Sequence, residues 1–119
     1  MSVSLFSVSL DCADASKLAD FWSQVLDRPI DEGGSQDFAT IGMQDGAGGL
    51  VWMLHRVPEA KQAKNRVHPD FVAANLEDEV QRVLTLGATH IGDVEEGGYR
   101  WTTLADPEGN EFDIVAAPQ

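Results

Sequence analysis

One pattern of apolar, capping and turn residues occurs twice in this chain of 119 residues. Each copy begins with alternating apolar residues, passes through a polar capping residue into a helix-like apolar stripe, and ends in short apolar runs separated by turns. The first copy is clearest from Val8 to Leu26, and the second from Pro69 to Leu86. Sequence identity between the copies is low, so the repeat lies in the apolar pattern. In a chain built from two similar modules, we expect a functional site between them.

The repeat predicts a single domain of two modules, residues 1–55 and 67–119, joined by a polar connector over residues 56–66. Asp14 and Asn75 are the predicted helix caps, because their side chains can accept hydrogen bonds from the first helical turn. The predicted helices are Ala15–Leu26 and Leu76–Leu86, and the predicted strands are Ser2–Cys12, Ile30–Glu32, Asp37–Ile41, Gly49–Leu54, Val67–Ala74, Thr89–Ile91, Tyr99–Leu104 and Glu111–Ala116.

This order of elements predicts an α+β fold, in which the helices cover one face of a cupped mixed sheet and the other face lines a cleft. Phe112 and Ile114 suit the core, which turns Asp113 toward the cleft, since successive side chains of a strand face opposite ways. Pro69 lacks the N–H needed for a ladder bond, so its strand is predicted to lie at a sheet edge. The predicted cleft residues are Ser7, Ser9, His68, Asp70, Glu111 and Asp113.

Charge and apolar content narrow the classes of function. The net charge of −12 predicts repulsion from nucleic acid and from anionic lipid. No apolar run approaches the ~20 residues that span a bilayer, and the N-terminus has no signal-peptide pattern. Cys12 is the only cysteine, which excludes an intrachain disulfide and fits a cytoplasmic protein. A small-molecule partner is therefore expected, with neither nucleic acid nor membrane.

One basic segment interrupts this acidic composition between the two modules. It is either a solvated connector or a segment that attracts an anionic ligand, and the usual exposure of connecting segments favours the first interpretation. Its cations are Arg56, Lys61, Lys64 and Arg66.

Two stretches of the chain carry a resemblance to a known family. They are Asp11-Cys12-Ala13-Asp14 with Phe21-Trp22 and Val25-Leu26-Asp27, and Lys64-Asn65-Arg66-Val67-His68-Pro69-Asp70 with Leu86-Gly87-Ala88-Thr89 and Ala105-Asp106-Pro107-Glu108-Gly109-Asn110-Glu111-Phe112. Together they resemble the vicinal oxygen chelate superfamily, which includes glyoxalase I, bleomycin-resistance proteins and extradiol dioxygenases, and most of all its glyoxalase-like branch. The resemblance covers essentially the whole chain. It implies paired βαβββ modules in the glyoxalase/bleomycin resistance/dioxygenase fold, and a homodimer.

The resemblance also implies positions for a divalent metal ion. In metal-dependent members, the first and last strands of each module each supply one ligand, and the ion chelates oxygens of the substrate. In the second module these positions fall on His68 and Asp113, which can both ligate. In the first module they fall on Ser7 and near Trp52, which are poor ligands. The resemblance therefore implies an incomplete centre that holds a divalent ion weakly, helped by a neighbour such as Asp70, Glu111 or Asp11. Lactoylglutathione lyase activity is not expected.

Each candidate residue has a competing interpretation. His68 can act as a general acid or base, because imidazole titrates near neutral pH, or it is a surface histidine. Asp113 is a catalytic carboxylate or a structural partner of Arg100 or His68. Arg100 meets a ligand carboxylate or is an exposed edge residue. Trp52 and Trp101 stack on a planar ligand, or pack in the core, which we favour for one of the two.

Three classes of function therefore remain open. The first is a glyoxalase-like small-molecule enzyme, with His68 and Asp113 catalytic and the ligand held in the cleft. The second is a metal-free protein that sequesters a planar ligand, as bleomycin-resistance proteins do, and the third is a structural partner within a complex. The first is slightly preferred because the resemblance to the glyoxalase-like branch is strongest. The predicted ligand-binding residues are Ser7, Trp52, Asp70, Arg100 and Trp101.

Overall fold

A computed structural model describes residues 2–118, and Met1 and Gln119, the ends of the predicted domain, lie outside the described residues. The residues up to Ala60 form one compact unit and those from Lys61 form a second. The predicted α+β class is confirmed. The elements in chain order are β1 (Ser7–Cys12), α1 (Ala15–Leu26), β2 (Phe38–Ile41), β3 (Val51–Arg56), β4 (Asp70–Ala73), α2 (Leu76–Leu86), β5 (Thr89–Glu96), β6 (Tyr99–Ala105) and β7 (Glu111–Ala116).

Both helices have the predicted bounds and the predicted caps. The Asp14 carboxylate accepts a hydrogen bond from the Lys17 N–H at 3.2 Å, and the Asn75 side chain accepts one from the Asp78 N–H at 3.0 Å. These bonds satisfy N–H groups that have no partner within the helix. The two short polar side chains therefore fix where each helix begins.

In the first unit, α1 packs on a sheet with the strand order β1-β3-β2. β1 runs parallel to β3, and β2 runs antiparallel to it. The apolar stripe of α1 buries Leu18, Phe21 and Trp22. The Trp22 ring stacks on Trp52 of β3, with ring centroids 4.9 Å apart. This aromatic pair forms the centre of the core of the first unit.

The predicted strand Ile30–Glu32 is wrong, and only a single bridge joins Ile30 to Ile41. Asp31 is the reason, because its buried carboxylate accepts hydrogen bonds from the Met43 and Gln44 N–H groups, at 2.9 and 3.0 Å. The backbone of the turn after β2 is thus bonded to a side chain instead of to a strand. The first unit consequently has one strand fewer than the second.

The first strand is also shorter than predicted. It begins at Ser7 rather than Ser2, because Ser7 lies opposite Val51, where β3 starts. A turn with left-handed glycines at Gly46, Gly48 and Gly49 precedes Val51, so the predicted start of β3 at Gly49 is also wrong. A glycine with φ of 84° is outside the strand region of backbone space.

The second unit has the strand order β4-β7-β6-β5, with α2 packed on one face. β4 is parallel to β7, and the other neighbours are antiparallel. β4 lies at the sheet edge, as predicted from Pro69, but it begins at Asp70 rather than Val67. Pro69 contributes only its carbonyl, which accepts the Asp113 N–H at 3.0 Å.

β5 is longer than the predicted Thr89–Ile91 and extends to Glu96 through an irregularity between His90 and Gly92. It pairs with β6 through a two-residue turn, Gly97-Gly98, whose φ angles are 61° and 82°. Two consecutive left-handed residues are the geometry of the turn that matches the twist of a hairpin. The glycine pair therefore sets the register in which β6, with Tyr99 and Trp101, pairs with β5.

Candidate functional site

Three neighbouring strands of the second unit place polar side chains in one row across the sheet. Asp113 on β7 lies opposite Asp70 on β4 and opposite Thr103 on β6. Residues directly opposite each other project from the same face of the sheet. The Thr103 hydroxyl donates a hydrogen bond of 2.6 Å to the Asp113 carboxylate, which fixes its orientation.

His68 joins this row from the segment just before β4. Its Nδ1 atom lies 3.0 Å from Asp70 Oδ1 and 3.3 Å from Asp113 Oδ2. One ligating atom from each of the three residues lies within 4.8 Å of the other two. An imidazole nitrogen and two carboxylates therefore converge on one point, and we call these three residues the His68 cluster.

The carboxylate of Asp113 is held in an unfavourable environment. Burial raises the pKa of Asp113 above its usual range, and the neighbouring Asp70 raises it further, against the opposing effects of the Thr103 hydroxyl and of His68. Perturbed carboxylates of this kind are common at functional sites, and they are also found in structural networks.

The His68 cluster lies in the wall of an open cavity of about 430 Å³. Trp101, Tyr99 and Val115 provide apolar surface, and Lys64 contributes a positive charge. Trp101 lies opposite Val115, one row along the sheet from the row of Asp113. The cavity thus places aromatic surface beside acid–base groups, which is typical of small-molecule sites.

Glu111 faces the same cavity and holds the connector against the sheet. Its carboxylate accepts the Asn65 N–H at 3.0 Å, pairs with the Lys61 ammonium at 2.9 Å, and its carbonyl accepts the Asn65 side chain at 3.1 Å. Burial alone would raise the pKa of Glu111, but the Asn65 N–H and Lys61 outweigh it, so the pKa lies below its usual range. We call Glu111, Asn65 and Lys61 the clasp.

The family of this chain is shown by a match that covers most of its length. A family model described as glyoxalase-like domain matches residues 7–115. The chain belongs to the glyoxalase-like domain family. This confirms the resemblance to the vicinal oxygen chelate superfamily that the sequence motifs indicated. The comparison with curated proteins found no match.

Solved structures of glyoxalase-fold proteins are similar to this chain at low sequence identity. A glyoxalase/bleomycin resistance/dioxygenase family enzyme from Burkholderia phytofirmans is 18% identical, with a TM-score of 0.78, over 98% of this chain and 100% of its own. A FosX fosfomycin resistance protein from Listeria monocytogenes, complexed with Mn(II) and 1S,2S-dihydroxypropylphosphonic acid, is 15% identical, with a TM-score of 0.79, over 99% and 93%. Lactoylglutathione lyase from Agrobacterium tumefaciens is 13% identical, with a TM-score of 0.68, over 98% and 96%. At these identities the comparisons show the glyoxalase/bleomycin resistance/dioxygenase fold.

The glyoxalase-like chain brings five of the residues named from its sequence to one cavity of the second unit. They are His68, Asp70, Trp101, Glu111 and Asp113. Asp113 contacts His68, which is one of the two partners suggested for it.

The other three candidates have different surroundings. Arg100 pairs with Glu77 of α2 at 2.5 Å, and this pairing raises the pKa of the guanidinium. Trp52 is buried on Trp22, so the core-packing interpretation describes its side chain. Ser7 is half-buried at the start of β1 in the first unit. Their roles in ligand binding stay predictions.

Sequence reasoning missed three cavity residues, Tyr99, Thr103 and Val115. Tyr99 and Thr103 share a face of β6 with Trp101, and Val115 shares a face of β7 with Asp113, because side chains two residues apart on a strand project the same way. The alternation around Trp101 was therefore the signal that could have identified Tyr99 and Thr103.

Between residues 2 and 118, no helix has the length and apolar character needed to cross a membrane.

Proposed function

We propose that this glyoxalase-like protein is a small-molecule enzyme or binder whose reactive groups are His68 and Asp113 in the cavity of the second unit. The observation that carries the proposal is the convergence of His68, Asp70 and Asp113 within 4.8 Å at the wall of that cavity. A histidine oriented by carboxylates beside an apolar surface is the usual arrangement of an acid–base site.

The positions of the side chains suggest a role for each. Asp70 and Asp113 hold the imidazole through Nδ1, so Nε2 of His68 is the nitrogen available to exchange a proton with a ligand. The Thr103 hydroxyl keeps the Asp113 carboxylate turned toward the ring. Trp101 offers a flat surface on which a planar ligand can stack.

The same cluster fits a divalent cation. One imidazole nitrogen and two carboxylates form a donor set suited to ions such as Mn²⁺ and Zn²⁺. Burial and, after it, the neighbouring Asp70 raise the pKa of Asp113, and a bound cation would favour its charged form. The Thr103 hydroxyl would act as an outer partner that orients the Asp113 ligand. When bound, such an ion polarises ligand oxygens as a Lewis acid. Three ligands, of which His68 and Asp70 are 40% and 57% exposed, favour weak binding.

Metal titration tests this proposal. We expect Mn²⁺ and Zn²⁺ to raise the melting temperature of the wild-type protein, since a ligand that binds only the folded state stabilises it. Asp113→Asn and His68→Gln should abolish the rise. Thr103→Val should weaken binding by roughly tenfold, the lower end of the effect of losing an outer partner. Isothermal titration calorimetry measures each affinity directly.

A second face of the same sheet provides matched controls. His90 pairs with Asp93 at 3.2 Å, and Thr102 donates a hydrogen bond to Asp93 at 2.8 Å. These three residues repeat the contacts among His68, Asp113 and Thr103, but within residues 2–118 no second carboxylate pairs with His90. Asp93→Asn and Thr102→Val should leave the metal affinity unchanged. Equal loss in Asp93→Asn and Asp113→Asn, or no metal binding by the wild type, would refute a metal centre at the His68 cluster.

A metal-free ligand-sequestering protein is the second candidate, and the aromatic wall favours it. Trp101 and Tyr99 offer ligand-facing surface that a purely metal-based mechanism does not need. A wild-type protein that binds aromatic ligands equally well with and without EDTA, and that catalyses no change in them, would support this candidate over the first.

A further inference from the structure

Lys64 is the cavity residue that the proposed reactions leave without a role. It belongs to the basic connector and lines the cavity that contains His68 and Asp113. No hydrogen bond or ion pair of Lys64 is found among residues 2–118, although its charge contributes to the lowered pKa of Glu111. A lysine at a ligand cavity, without an ion-pair partner of its own, can bind an anionic group of the ligand.

The clasp holds the backbone beside Lys64 in place. Asn65, the residue after Lys64, donates two hydrogen bonds to Glu111, one of 3.0 Å to its carboxylate and one of 3.1 Å to its backbone carbonyl. Lys61 pairs with the Glu111 carboxylate at 2.9 Å and so offsets that negative charge. The connector is therefore fixed to β7 next to Lys64. The Glu111 carboxylate, whose pKa Lys64 helps to lower, already pairs with Lys61.

The remaining charges of the cavity are also paired. His68 meets the two carboxylates of Asp70 and Asp113, which leaves the ammonium of Lys64 as the cavity cation with no contacting carboxylate. Trp101 is half-buried and Tyr99 is exposed, so aromatic surface remains open to a ligand. Positive charge and aromatic surface are thus available in one cavity.

We propose that the ligand of this site is a planar aromatic acid, whose carboxylate binds Lys64 and whose ring packs on Trp101. This inference rests on the proposed function of the cavity and adds the chemical class of its ligand. Lys64 is then a specificity residue that selects anionic over neutral ligands of the same shape.

Two probes of equal shape test the assignment: 2-naphthoate and its neutral analogue 2-naphthamide. Binding is followed by NMR on the indole N–H of Trp101, in buffer with EDTA so that no metal ion supplies positive charge. Trp22 and Trp52 lie in the first unit and serve as internal references. We expect naphthoate to bind about tenfold more tightly than naphthamide, a typical gain from one charge-assisted contact.

Two variants of the connector separate a direct contact from a general charge effect. Lys64→Met should lower naphthoate affinity to that of naphthamide, and Lys64→Arg should restore the preference. Arg66→Met removes the same charge from the same connector, but Arg66 does not line the cavity, so the preference should persist. Salt in the buffer screens more distant charges such as that of Arg66, so they do not reproduce the effect of a direct contact between Lys64 and the ligand.

The possible outcomes are distinct. Equal affinity of the wild type for both probes, or a preference that survives Lys64→Met, overturns the role of Lys64 while leaving the cavity as the binding site. Failure of both probes to shift Trp101 overturns the aromatic acid as the ligand class. The metal titration of the His68 cluster uses neither probe, so the proposed function succeeds or fails separately.

Discussion

Asp31 shows how one buried side chain can organise a loop. Only 6% of its surface is exposed, and its carboxylate accepts the Thr40 hydroxyl at 2.6 Å and two N–H groups of the following turn. Burial raises the pKa of Asp31, but the three hydrogen bonds outweigh it, so the pKa lies below its usual range. The charged form is therefore the one that stabilises the fold.

Replacing Asp31 by Asn should destabilise the protein by about 2 kcal/mol at pH 7, as expected for hydrogen bonds to a charged acceptor. The pKa is lowered on folding, so this stability is fully present above the unfolded pKa of about 4 and is lost as the pH falls through the folded pKa. Urea unfolding of both proteins from pH 7 to pH 3 measures the difference, which should shrink below pH 4.

The exposed Asp37 provides a control, because its ion pair with Arg56 is largely solvated. Asp37→Asn should change stability little at any of these pH values. A difference between wild type and Asp31→Asn that stays constant down to pH 3 would contradict a charged, stabilising Asp31.

Residue-level reasoning succeeded where alternation along a strand decides the face. Asp113 and Glu111 face the cavity, while Phe112 and Ile114 are buried, as the pattern predicted. Alternation could not reveal that Asp31 would bind the N–H groups of residues 43 and 44, because that contact depends on a turn twelve residues away. Local patterns predict faces, whereas loop contacts depend on tertiary structure.

At the scale of elements, capping and turn chemistry explain which bounds were predictable. Helices α1 and α2 agree with the sequence because Asp14 and Asn75 mark their starts. The length of β5 was missed because Gly92 and its acidic neighbours are poor strand formers. Pairing with β6 across Gly97-Gly98 overrides that weak preference, and a glycine pair between two strands is itself a hairpin signal.

This hairpin turn gives a prediction about Gly97. Gly97→Val should destabilise the protein by about 1–2 kcal/mol, because a β-branched residue is strained at a φ of 61°. Gly97→Asn should be tolerated, since Asn adopts this conformation readily. No other atom lies within 4 Å of a Cβ added at Gly97, so backbone strain alone separates the two variants. Urea unfolding midpoints measure the effect, and equal stability of the two variants would contradict it.

At the scale of the whole molecule, the two modules share a folding pattern but differ in the residues that could support chemistry. In the first unit, β3 carries Met53 opposite Ser9 of β1, where β7 of the second unit carries Asp113 opposite Asp70 of β4. In the second unit, β4, β7 and β6 align Asp70, Asp113 and Thr103 along one face, and His68 joins them from the segment before β4. The asymmetry was visible in the sequence, but Asp70 as a third member of the cluster became firm only through the parallel register of β4 and β7.

A last prediction concerns assembly. Leu5 and Phe6 are 77% and 60% exposed, and they directly precede β1, an edge strand of its sheet. Adjacent exposed apolar side chains beside a strand edge are costly in water and typical of interaction surfaces. We therefore expect a homodimer that buries this segment, and sedimentation velocity across a range of concentrations should give twice the monomer mass.

Changing Leu5 and Phe6 together to Ser should dissociate this dimer, because burial of each large apolar side chain contributes roughly 1.5–3 kcal/mol. Ile91 provides the matched control, since it is also exposed and lies on β5, an edge strand of the second sheet. Ile91→Ser should remain dimeric if the interface involves the segment before β1. A dimer that survives the double substitution but dissociates in Ile91→Ser would move the interface to β5, and a wild-type monomer at every concentration would refute the assembly.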